Sequence, residues 1–224
     1  MLNGVNFGLN NKLYIKDPQG SQYGRNLLNH AVDLLSEIGL ENFTFKKLGV
    51  RMNSSETSIY RYFENKHLLH LYIQSWYWEW LTYSISINTL NISDPKEKLK
   101  KAIASIIYTP HREQLATYVD EENLYRIIVQ EGSKSYHSID VDKENKEGLF
   151  LPYKMLTKTI ANLIKELNPQ HKYPHTLSIT VIEMIQDQIY FVEHLPRLSD
   201  LKRNKTTLAQ LEGIVLDLIF KSTL

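Results

Sequence analysis

Residues 44–69 of this 224-residue chain, TFKKLGVRMNSSETSIYRYFENKHLL, decide the fold of its N-terminal part. Thr44 is placed to cap a helix of about two turns, and Ser54 or Ser55 to cap a second short helix. Asn53 lies between the two helices and tolerates the left-handed backbone of a tight turn. This is the spacing of a helix-turn-helix, whose second helix enters the DNA major groove. The spacing alone is a weak signal, because any small three-helix bundle can show it.

Helices are predicted on both sides of this stretch. Apolar residues repeat on one helical face over residues 27–38, and Gly39 follows where a left-handed C-terminal cap is expected. Asn65 is positioned to cap a long fourth helix, which begins at Lys66 and carries an apolar stripe over residues 69–87. Three short helices that lead into one long helix are therefore the predicted N-terminal arrangement.

The rest of the chain is also predicted to be helical, so the fold class is all-α. Asp94 and Pro95 mark a helix start, because the first turn does not need the N–H that proline lacks, and Pro110 marks its end. Further helices are expected over residues 115–129, 150–167, 175–194 and 206–221. The polar residues 132–148 are predicted to form a long exposed loop, and residues 1–20 a flexible N-terminal arm.

Composition excludes several classes of protein. Lys and Arg total 26 and Asp and Glu total 25, so a net charge of +1 excludes a polybasic nucleic-acid coat protein and a disordered acidic tail. The absence of cysteine excludes disulfide scaffolds, thiolate zinc sites and cysteine nucleophiles. We find neither an apolar run of membrane-spanning length nor a secretory signal, so a cytoplasmic protein is expected.

Residues 23–69 resemble the DNA-binding domain of the tetracycline-repressor-type (TetR family) regulators. The resemblance begins with a long amphipathic first helix, followed by Gly39 and Phe43-Thr44 before the second helix. It continues in a signature block that comprises Ser55, Ser58-Ile59-Tyr60, Tyr62-Phe63, Asn65-Lys66 and Leu68-Leu69. It implies a helix-turn-helix domain over residues 21–69, a long fourth helix, and a helical ligand-binding and dimerisation domain over residues 70–224.

Four positions depart from the family pattern. The family usually has glycine and then an apolar residue in the turn, where this chain has Asn53 and Ser54. It often has alanine at the position of Gly49 and glycine at the position of Thr57. Asparagine can take the turn geometry, but Ser54 removes an apolar anchor from the packing between the two helices.

The resemblance assigns DNA contacts to the second and third helices. Tyr60 and Lys66 are the expected phosphate contacts, with neighbouring serine and threonine hydroxyls beside them. Glu56, Thr57 and Arg61 are candidates for base reading, because glutamate can accept from cytosine N4 and arginine can bind guanine O6 and N7. Alternatively, Glu56 only stabilises the first turn through the helix dipole. The predicted DNA-binding residues are Thr44, Lys46, Ser55, Glu56, Thr57, Ser58, Tyr60, Arg61, Tyr62 and Lys66.

Two C-terminal segments, TLSITVIEMIQDQIYFVEHL and LAQLEGIVLDLIF, are apolar on more than one side, and such helices need more than one partner. The resemblance implies that each of two subunits contributes both helices to a four-helix dimer interface. Its predicted residues are Ile182, Ile185, Ile189, Leu211, Gly213, Ile214 and Leu218. Alternatively, both helices are buried in the core of the monomer.

The resemblance also implies a site for a small molecule. Aromatic residues with polar tips are the candidate walls, and they favour an aromatic or lipophilic ligand. The predicted ligand-binding residues are Trp76, Trp80, Tyr83, Tyr108, Tyr125 and Tyr153. No cofactor or metal is expected, because His67 and His70 lack a third ligand in sequence and Pro174 interrupts His171 and His175.

The resulting hypothesis is a homodimeric repressor that binds a near-palindromic operator and is released by a small-molecule ligand. Two alternatives stay open at this point. One is an all-α enzyme, although the sequence has no Gly-rich phosphate loop, zinc-protease helix or nucleophile elbow, so the chain is predicted not to be an enzyme. The other is a helical interaction module whose helix-turn-helix no longer binds DNA.

Overall fold

The computed structural model describes residues 6–108 and 119–223. These residues form α-helices and short 3-10 helices and contain no β-strand, which confirms the all-α prediction. The helices are α1 (Gln22–Asn42), α2 (Phe45–Arg51), α3 (Glu56–Tyr60), α4 (Lys66–Thr89), α5 (Pro95–Tyr108), α6 (Glu121–Glu131), α7 (Ser133–Tyr136), α8 (Val141–Lys146), α9 (Leu151–Leu167), α10 (Pro174–His194) and α11 (Thr207–Thr223). The 3-10 helices are Asn11–Leu13, Pro18–Gly20 and Pro196–Leu198. None of the helices in the described ranges is long and apolar enough to cross a membrane.

Local signals place the N-terminal helices where the sequence predicts them. The Ser21 side chain caps α1 by accepting a hydrogen bond from the N–H of Gly24. Gly39 takes a positive φ of 71°, and α1 resumes beyond it as far as Asn42, so the predicted cap is a kink near the end of the helix. Asn65 caps α4 through its Oδ1, which accepts from the N–H of Leu68 at 2.9 Å.

The chain divides into two compact units, which differ from the predicted domains. The first comprises Met1–Glu79 and Glu113–Pro152, and the second comprises Trp80–Arg112 and Tyr153–Leu224. The first unit therefore includes not only the predicted domain 21–69 but also the first part of α4 and the helices α6 to α8. The residues of α4 belong partly to each unit.

In the first unit, α6 packs along α1, and α2 packs on both α1 and α3. Apolar side chains from five helices, each no more than 1% exposed, form its core: Leu27, Ala31, Leu48, Ile59, Leu69, Leu71, Tyr72, Ile127 and Ile128. Because α2 and α3 are only 7 and 5 residues long, they depend on this shared core and on their caps for stability.

In the second unit, α11 packs on α5 and α10. The three helices bury apolar side chains completely, namely Ile103 and Ile107 of α5, Val181, Ile182 and Ile185 of α10, and Leu211, Val215 and Ile219 of α11. Polar contacts at the surface join further elements, such as the ion pair between Lys98 of α5 and Glu166 of α9 at 3.0 Å.

Two segments differ from their predicted conformation. Residues 132–148 form α7 and α8 instead of an extended exposed loop, and Glu144 of α8 is buried at 7% exposure. Residues 6–20 pack on the first unit and contain Leu13, which is completely buried, so this part of the predicted arm is not loose. Residues 109–118, which include Pro110 and the start of the helix expected over 115–129, lie outside the described residues.

Candidate nucleic-acid interface

Helix α2 begins at the predicted cap. The Thr44 side chain accepts a hydrogen bond from the N–H of Lys47 at 3.2 Å, which satisfies one of the free donors of the first turn. Phe45 and Leu48 are buried, so the helix is fixed through one face. Thr44 and Lys46 lie on the exposed side of this helix.

The turn between α2 and α3 has the predicted left-handed residue. Asn53 has a φ of 49°, the only positive value among the described residues that are not glycine. The N–H of Ser54 donates to the carbonyl oxygen of Gly49 at 2.8 Å. A Cβ atom at Gly49 would lie 2.9 Å from the Ser54 carbonyl oxygen, so glycine at this position permits the tight turn.

Ser54 is held by a hydrogen bond in place of apolar packing. Its Oγ lies 2.8 Å from the hydroxyl of Tyr23, which belongs to the first turn of α1. The Tyr23 ring in turn stacks on Tyr62 with centroids 5.6 Å apart. The departure from the family pattern at this position is therefore compensated by a polar contact between α1 and the turn.

Helix α3 is short and presents polar side chains at its start. Ser55 caps it by accepting from the N–H of Ser58 at 3.2 Å, and the two Oγ atoms lie 2.9 Å apart. Ile59 is completely buried and anchors the helix. Tyr60 packs edge-on against Phe45 of α2 at 4.9 Å between centroids and still exposes 47% of its surface.

Most of the predicted DNA-contacting residues are accessible. The exposed ones are Thr44, Lys46, Ser55, Thr57, Tyr60 and Arg61. Glu56 and Ser58 are half-buried. In the described part of the chain, no carboxylate lies within ion-pair distance of Lys46 or Arg61, so both cations are available to a ligand.

Tyr62 is placed differently from the prediction. It is 5% exposed, its hydroxyl lies 2.9 Å from Ser21 Oγ, and its carbonyl oxygen accepts from the N–H of Ile15 at 2.8 Å. These contacts commit the side chain to the packing of residues 15–23 against the end of α3. The aromatic pair of the signature block is therefore structural at this position.

Lys66 is also committed within the protein. Its ammonium donates to the carbonyl oxygens of Leu40, Glu41 and Phe43 at 2.8, 3.0 and 3.2 Å. Lysine has three N–H donors, and all three are used here. The ammonium stabilises the carbonyl end of α1, where the helix dipole favours a cation, so it has no donor left for a phosphate.

Arg51 at the end of α2 is neutralised by acidic residues of α1. Its guanidinium donates two hydrogen bonds to the carboxylate of Glu37, at 2.7 and 2.8 Å, and lies 3.8 Å from Asp33. The hydrogen bond from Arg51 lowers the pKa of Glu37. Of the neighbouring cations, Lys47 donates to the carbonyl oxygen of Asn42 at 2.8 Å. Lys47 keeps its charge, whereas Lys46 and Arg61 have neither a carboxylate nor a carbonyl partner among the described residues.

The six predicted ligand-binding aromatics are divided between the two units. Trp76 and Tyr125 belong to the first unit, where both are buried, and Trp76 lines an apolar cavity of about 10 Å³ with room for no more than a water molecule. Burial raises the pKa of Tyr125. The aromatics of the second unit are Trp80, Tyr83, Tyr108 and Tyr153. The structure therefore does not gather the six into one site within either unit.

The aromatics of the second unit have different environments. Trp80 is buried, whereas Tyr83 exposes 45% of its surface. The hydroxyl of Tyr108 donates to Glu212 of α11 at 2.8 Å, and the hydroxyl of Tyr153 donates to Glu183 of α10. The last two tyrosines tie α5 and α9 to the C-terminal helix pair.

The predicted dimer residues also fall into two groups. Ile182, Ile185 and Leu211 are completely buried in the second unit, so they cannot contact a second subunit. This corrects their assignment, because these three side chains are enclosed within their own subunit, where α11 packs on α5 and α10. The residues that remain accessible are Ile189, Gly213, Ile214 and Leu218.

His67 and His70 have hydrogen-bond partners within the protein. His67 Nε2 lies 2.6 Å from Glu144 Oε1, and the His70 ring nitrogen lies 3.0 Å from the Gln74 amide nitrogen. Burial lowers the pKa of His70 to about 3, so its ring is neutral. No cluster of three or more potential metal ligands occurs in residues 6–108 and 119–223.

Comparisons with known proteins agree with this geometry. The family model of the bacterial regulatory proteins of the tetR family matches residues 27–72, which run from α1 into the first turns of α4. No curated protein sequence matches the chain.

Solved structures with similar folds cover nearly the whole chain. The fatty acid degradation regulator FadR from Bacillus halodurans has a TM-score of 0.64 at 15% identity and covers 88% of this chain and 97% of its own. A transcriptional regulator from Saccharomonospora viridis in complex with choline has a TM-score of 0.64 at 15% identity, with 89% and 97% covered. AibR in complex with isovaleryl coenzyme A and operator DNA has a TM-score of 0.60 at 12% identity, with 88% and 97% covered.

These structures share the fold, and the family model matches at the helix-turn-helix whose caps, turn and exposed polar face are described above. Over residues 27–72 the chain is therefore similar to the tetR family of bacterial regulatory proteins, and it shares the fold of the solved structures named above.

Proposed function

We propose that the chain is a homodimeric transcriptional repressor that binds a near-palindromic operator and is released by a small molecule bound in its C-terminal part. The capped helix α3 carries this proposal. It is anchored by the buried Ile59 and leaves Thr57, Tyr60 and Arg61 exposed at a helix-turn-helix with a left-handed Asn53. The second helix of such a motif reads base edges in the major groove.

The exposed side chains suggest a division of labour at the DNA. Arg61 has no ion-pair partner among the described residues, so its fork of donors can bind guanine O6 and N7. Half-buried Glu56 can accept from cytosine N4. The hydroxyl of Tyr60, held in place by Phe45, and the ammonium of Lys46 are suited to phosphates. The caps Thr44 and Ser55 and the neighbouring Ser58 add hydroxyl donors close to the backbone of α2 and α3.

The outer faces of α10 and α11 support the dimer. A groove of about 410 Å³ runs along α10 and is lined by Ile179, Thr180, Glu183, Met184, Asp187, Gln188 and Phe191. On α11, Ile214 and Leu218 are 46% and 37% exposed, and a Cβ atom at Gly213 would meet nothing within 4 Å. A second copy of these two helices would cover the apolar face. A two-fold axis would then place the recognition helices about 34–36 Å apart.

For the ligand we propose a mostly apolar small molecule bound among the aromatics of the second unit. Trp80, Tyr108 and Tyr153 supply apolar walls with polar tips. Two structural neighbours are complexes with isovaleryl coenzyme A and with choline, so the fold accommodates different ligands. Helix α4 begins shortly after α3, at Lys66, and continues into the second unit. A ligand bound in the second unit could therefore act on the DNA-binding helices through this continuous helix. Release from DNA requires that the dimer have two spacings of its recognition helices and that the ligand bind one of them more tightly than the other.

A selection experiment tests this function. The purified full chain is used to recover duplexes from a randomised pool, and the recovered sequence is then measured by gel shift beside the region upstream of the chain's own gene. We expect an inverted repeat to be enriched. In the variant R61A, discrimination at one base pair of each half-site should fall by about 1–3 kcal/mol. R126A, which removes an exposed arginine of α6, is the matched control. Recovery of no common sequence would refute the proposed function.

A further inference from the structure

Residues 6–20, which we call the N-terminal strap, are packed within the first unit. Leu13 is completely buried and Leu9 is 8% exposed. The ring of Phe7 packs edge-on against Trp76 of α4 at 5.6 Å between centroids. The family model begins at residue 27, so the strap lies outside the part of the chain that the family describes.

The strap contacts the start of α1 so closely that the position of Gly24 has no space for a side chain. A Cβ atom at Gly24 would lie 2.3 Å from the carbonyl oxygen of Pro18, a distance that no side chain could occupy. The Arg25 guanidinium also donates to the carbonyl oxygen of Gln19 at 2.7 Å. The close approach at Gly24 therefore fixes the C-terminal end of the strap on the first helix.

A second set of contacts ties the strap to the end of the recognition helix. The N–H of Ile15 donates to the carbonyl oxygen of Tyr62 at 2.8 Å, and Ser21 Oγ lies 2.9 Å from the Tyr62 hydroxyl. Tyr62 directly follows Arg61, the residue that we propose for base reading. The hydrogen bond from Ile15 therefore joins the strap to the residue that follows Arg61, at the edge of the proposed DNA-binding surface.

Lys16 is the strap cation whose ammonium has no hydrogen-bond acceptor within residues 6–108 and 119–223. Its ammonium lies 5.2 Å from the centroid of the Tyr62 ring, and the side chain is exposed. Among the described residues no carboxylate lies within ion-pair distance of this ammonium, whereas Lys12 in the same strap lies 3.3 Å from Glu147. The neighbours of Lys16 are fixed, because Ile15 is bonded to Tyr62 and Asp17 caps the following 3-10 helix.

We propose that Lys16 binds a DNA phosphate and that the strap thereby extends the DNA interface beyond the helix-turn-helix. This inference rests on the proposed function. A lysine ammonium is a compact charge suited to phosphate, and a backbone that is already fixed reduces the entropy lost on binding. Lys66 uses its three donors within the protein, so Lys16 beside Tyr62 supplies a cation at the end of α3 that Lys66 does not.

The salt dependence of DNA binding tests the proposal. The first probe is the duplex recovered by the wild-type chain. The second is a duplex of unrelated sequence, about 40 base pairs or four helical turns long, measured at low salt. It is included because phosphate contacts form with any sequence. K16A should lower the slope of log K against log salt by about 0.9 for each subunit that binds, because one phosphate contact is lost. K16R should restore the slope.

K12A is the matched control, because it removes the same charge from the same strap at a residue paired with Glu147, and its slope should equal that of the wild type. Thermal melting of each variant checks that the fold is kept. A K16A variant with an unchanged slope would overturn the proposal, even if its affinity fell, because the strap would then only position α3. A wild-type chain that binds neither duplex would overturn the proposed function itself, and Lys16 with it.

Discussion

The helix-turn-helix and the C-terminal pair α10 and α11 are stabilised in different ways. Helices α2 and α3 have 7 and 5 residues, and side-chain caps from Thr44 and Ser55 satisfy their first turns. Helices α10 and α11 have 21 and 17 residues and are held by completely buried aliphatic side chains such as Ile185 and Val215. In the first region side-chain caps therefore supplement the apolar packing of Phe45, Leu48 and Ile59, whereas apolar packing dominates in the second.

The largest expected effect belongs to the core of the second region. I185A should lower the free energy of unfolding by about 2–5 kcal/mol, because a completely buried side chain leaves a cavity. I214A, which truncates a residue exposed to 46%, should change it by no more than about 0.5 kcal/mol while weakening the dimer. Urea unfolding at several protein concentrations and analytical ultracentrifugation measure the two quantities. Equal destabilisation by both variants would refute the division into inner and outer faces.

Two glycines provide the next comparison. G49A should destabilise the chain by about 1–3 kcal/mol, because its Cβ atom would lie 2.9 Å from the Ser54 carbonyl oxygen in the tight turn. G213A should instead stabilise α11 by up to about 1 kcal/mol, since nothing within 4 Å opposes a Cβ atom there. If backbones of two subunits cross at Gly213, G213A also weakens the dimer. Thermal unfolding and sedimentation distinguish these effects, and a stable G49A variant would contradict the turn geometry.

The caps of the first region predict a smaller effect. S55A should cost about 1 kcal/mol of stability, because the N–H of Ser58 loses its acceptor. T57A is the matched control within the same helix, since Thr57 is exposed and alanine favours a helix. Chemical denaturation measures both variants. If S55A were as stable as T57A, α3 would be fixed by the anchor Ile59 alone, and the comparison between capped and packed helices would fail.

The local features of the helix-turn-helix could be predicted from the sequence because their causes lie within a few residues. The caps at Thr44, Ser55 and Asn65 join residues three positions apart, and the left-handed turn depends on Asn53 itself. The long helices could also be predicted, because their apolar residues repeat at helical spacing. All-α architecture and the position of the recognition helix follow from these signals.

The roles that sequence reasoning missed depend on distant partners. Tyr62 is withdrawn from the surface by Ser21, 41 residues away, and Lys66 by carbonyl groups 23 to 26 residues away. His67 meets Glu144 across 77 residues, within a segment whose polar composition predicted a loop. Periodicity also cannot separate Ile185 from Ile214, because an apolar side chain looks the same whether it covers its own core or another subunit.

The two regions are also expected to respond differently to pH, because the pKa values of Glu37 in the first unit and Asp187 in the second are shifted in opposite directions. The hydrogen bond from Arg51 lowers the pKa of Glu37 below its ordinary 4.5, so Glu37 stabilises the fold above that pH and loses this effect as pH falls through the lowered pKa. Burial, and then Glu183, raise the pKa of Asp187 above its ordinary 3.8, so its charge destabilises the fold increasingly as pH rises through this range.

E37Q should therefore melt below the wild type near pH 7 and approach it as pH falls through the lowered pKa of Glu37, whereas D187N should melt above the wild type near pH 7 and converge with it at acid pH. Because Asp187 lines the α10 groove that we propose as the dimer face, D187N should also tighten the dimer at neutral pH. Thermal melts between about pH 3 and 7 measure the first effect and sedimentation the second. If D187N melted higher but dimerised as the wild type does, Asp187 would be desolvated only by its own subunit, and the groove would not belong to the interface.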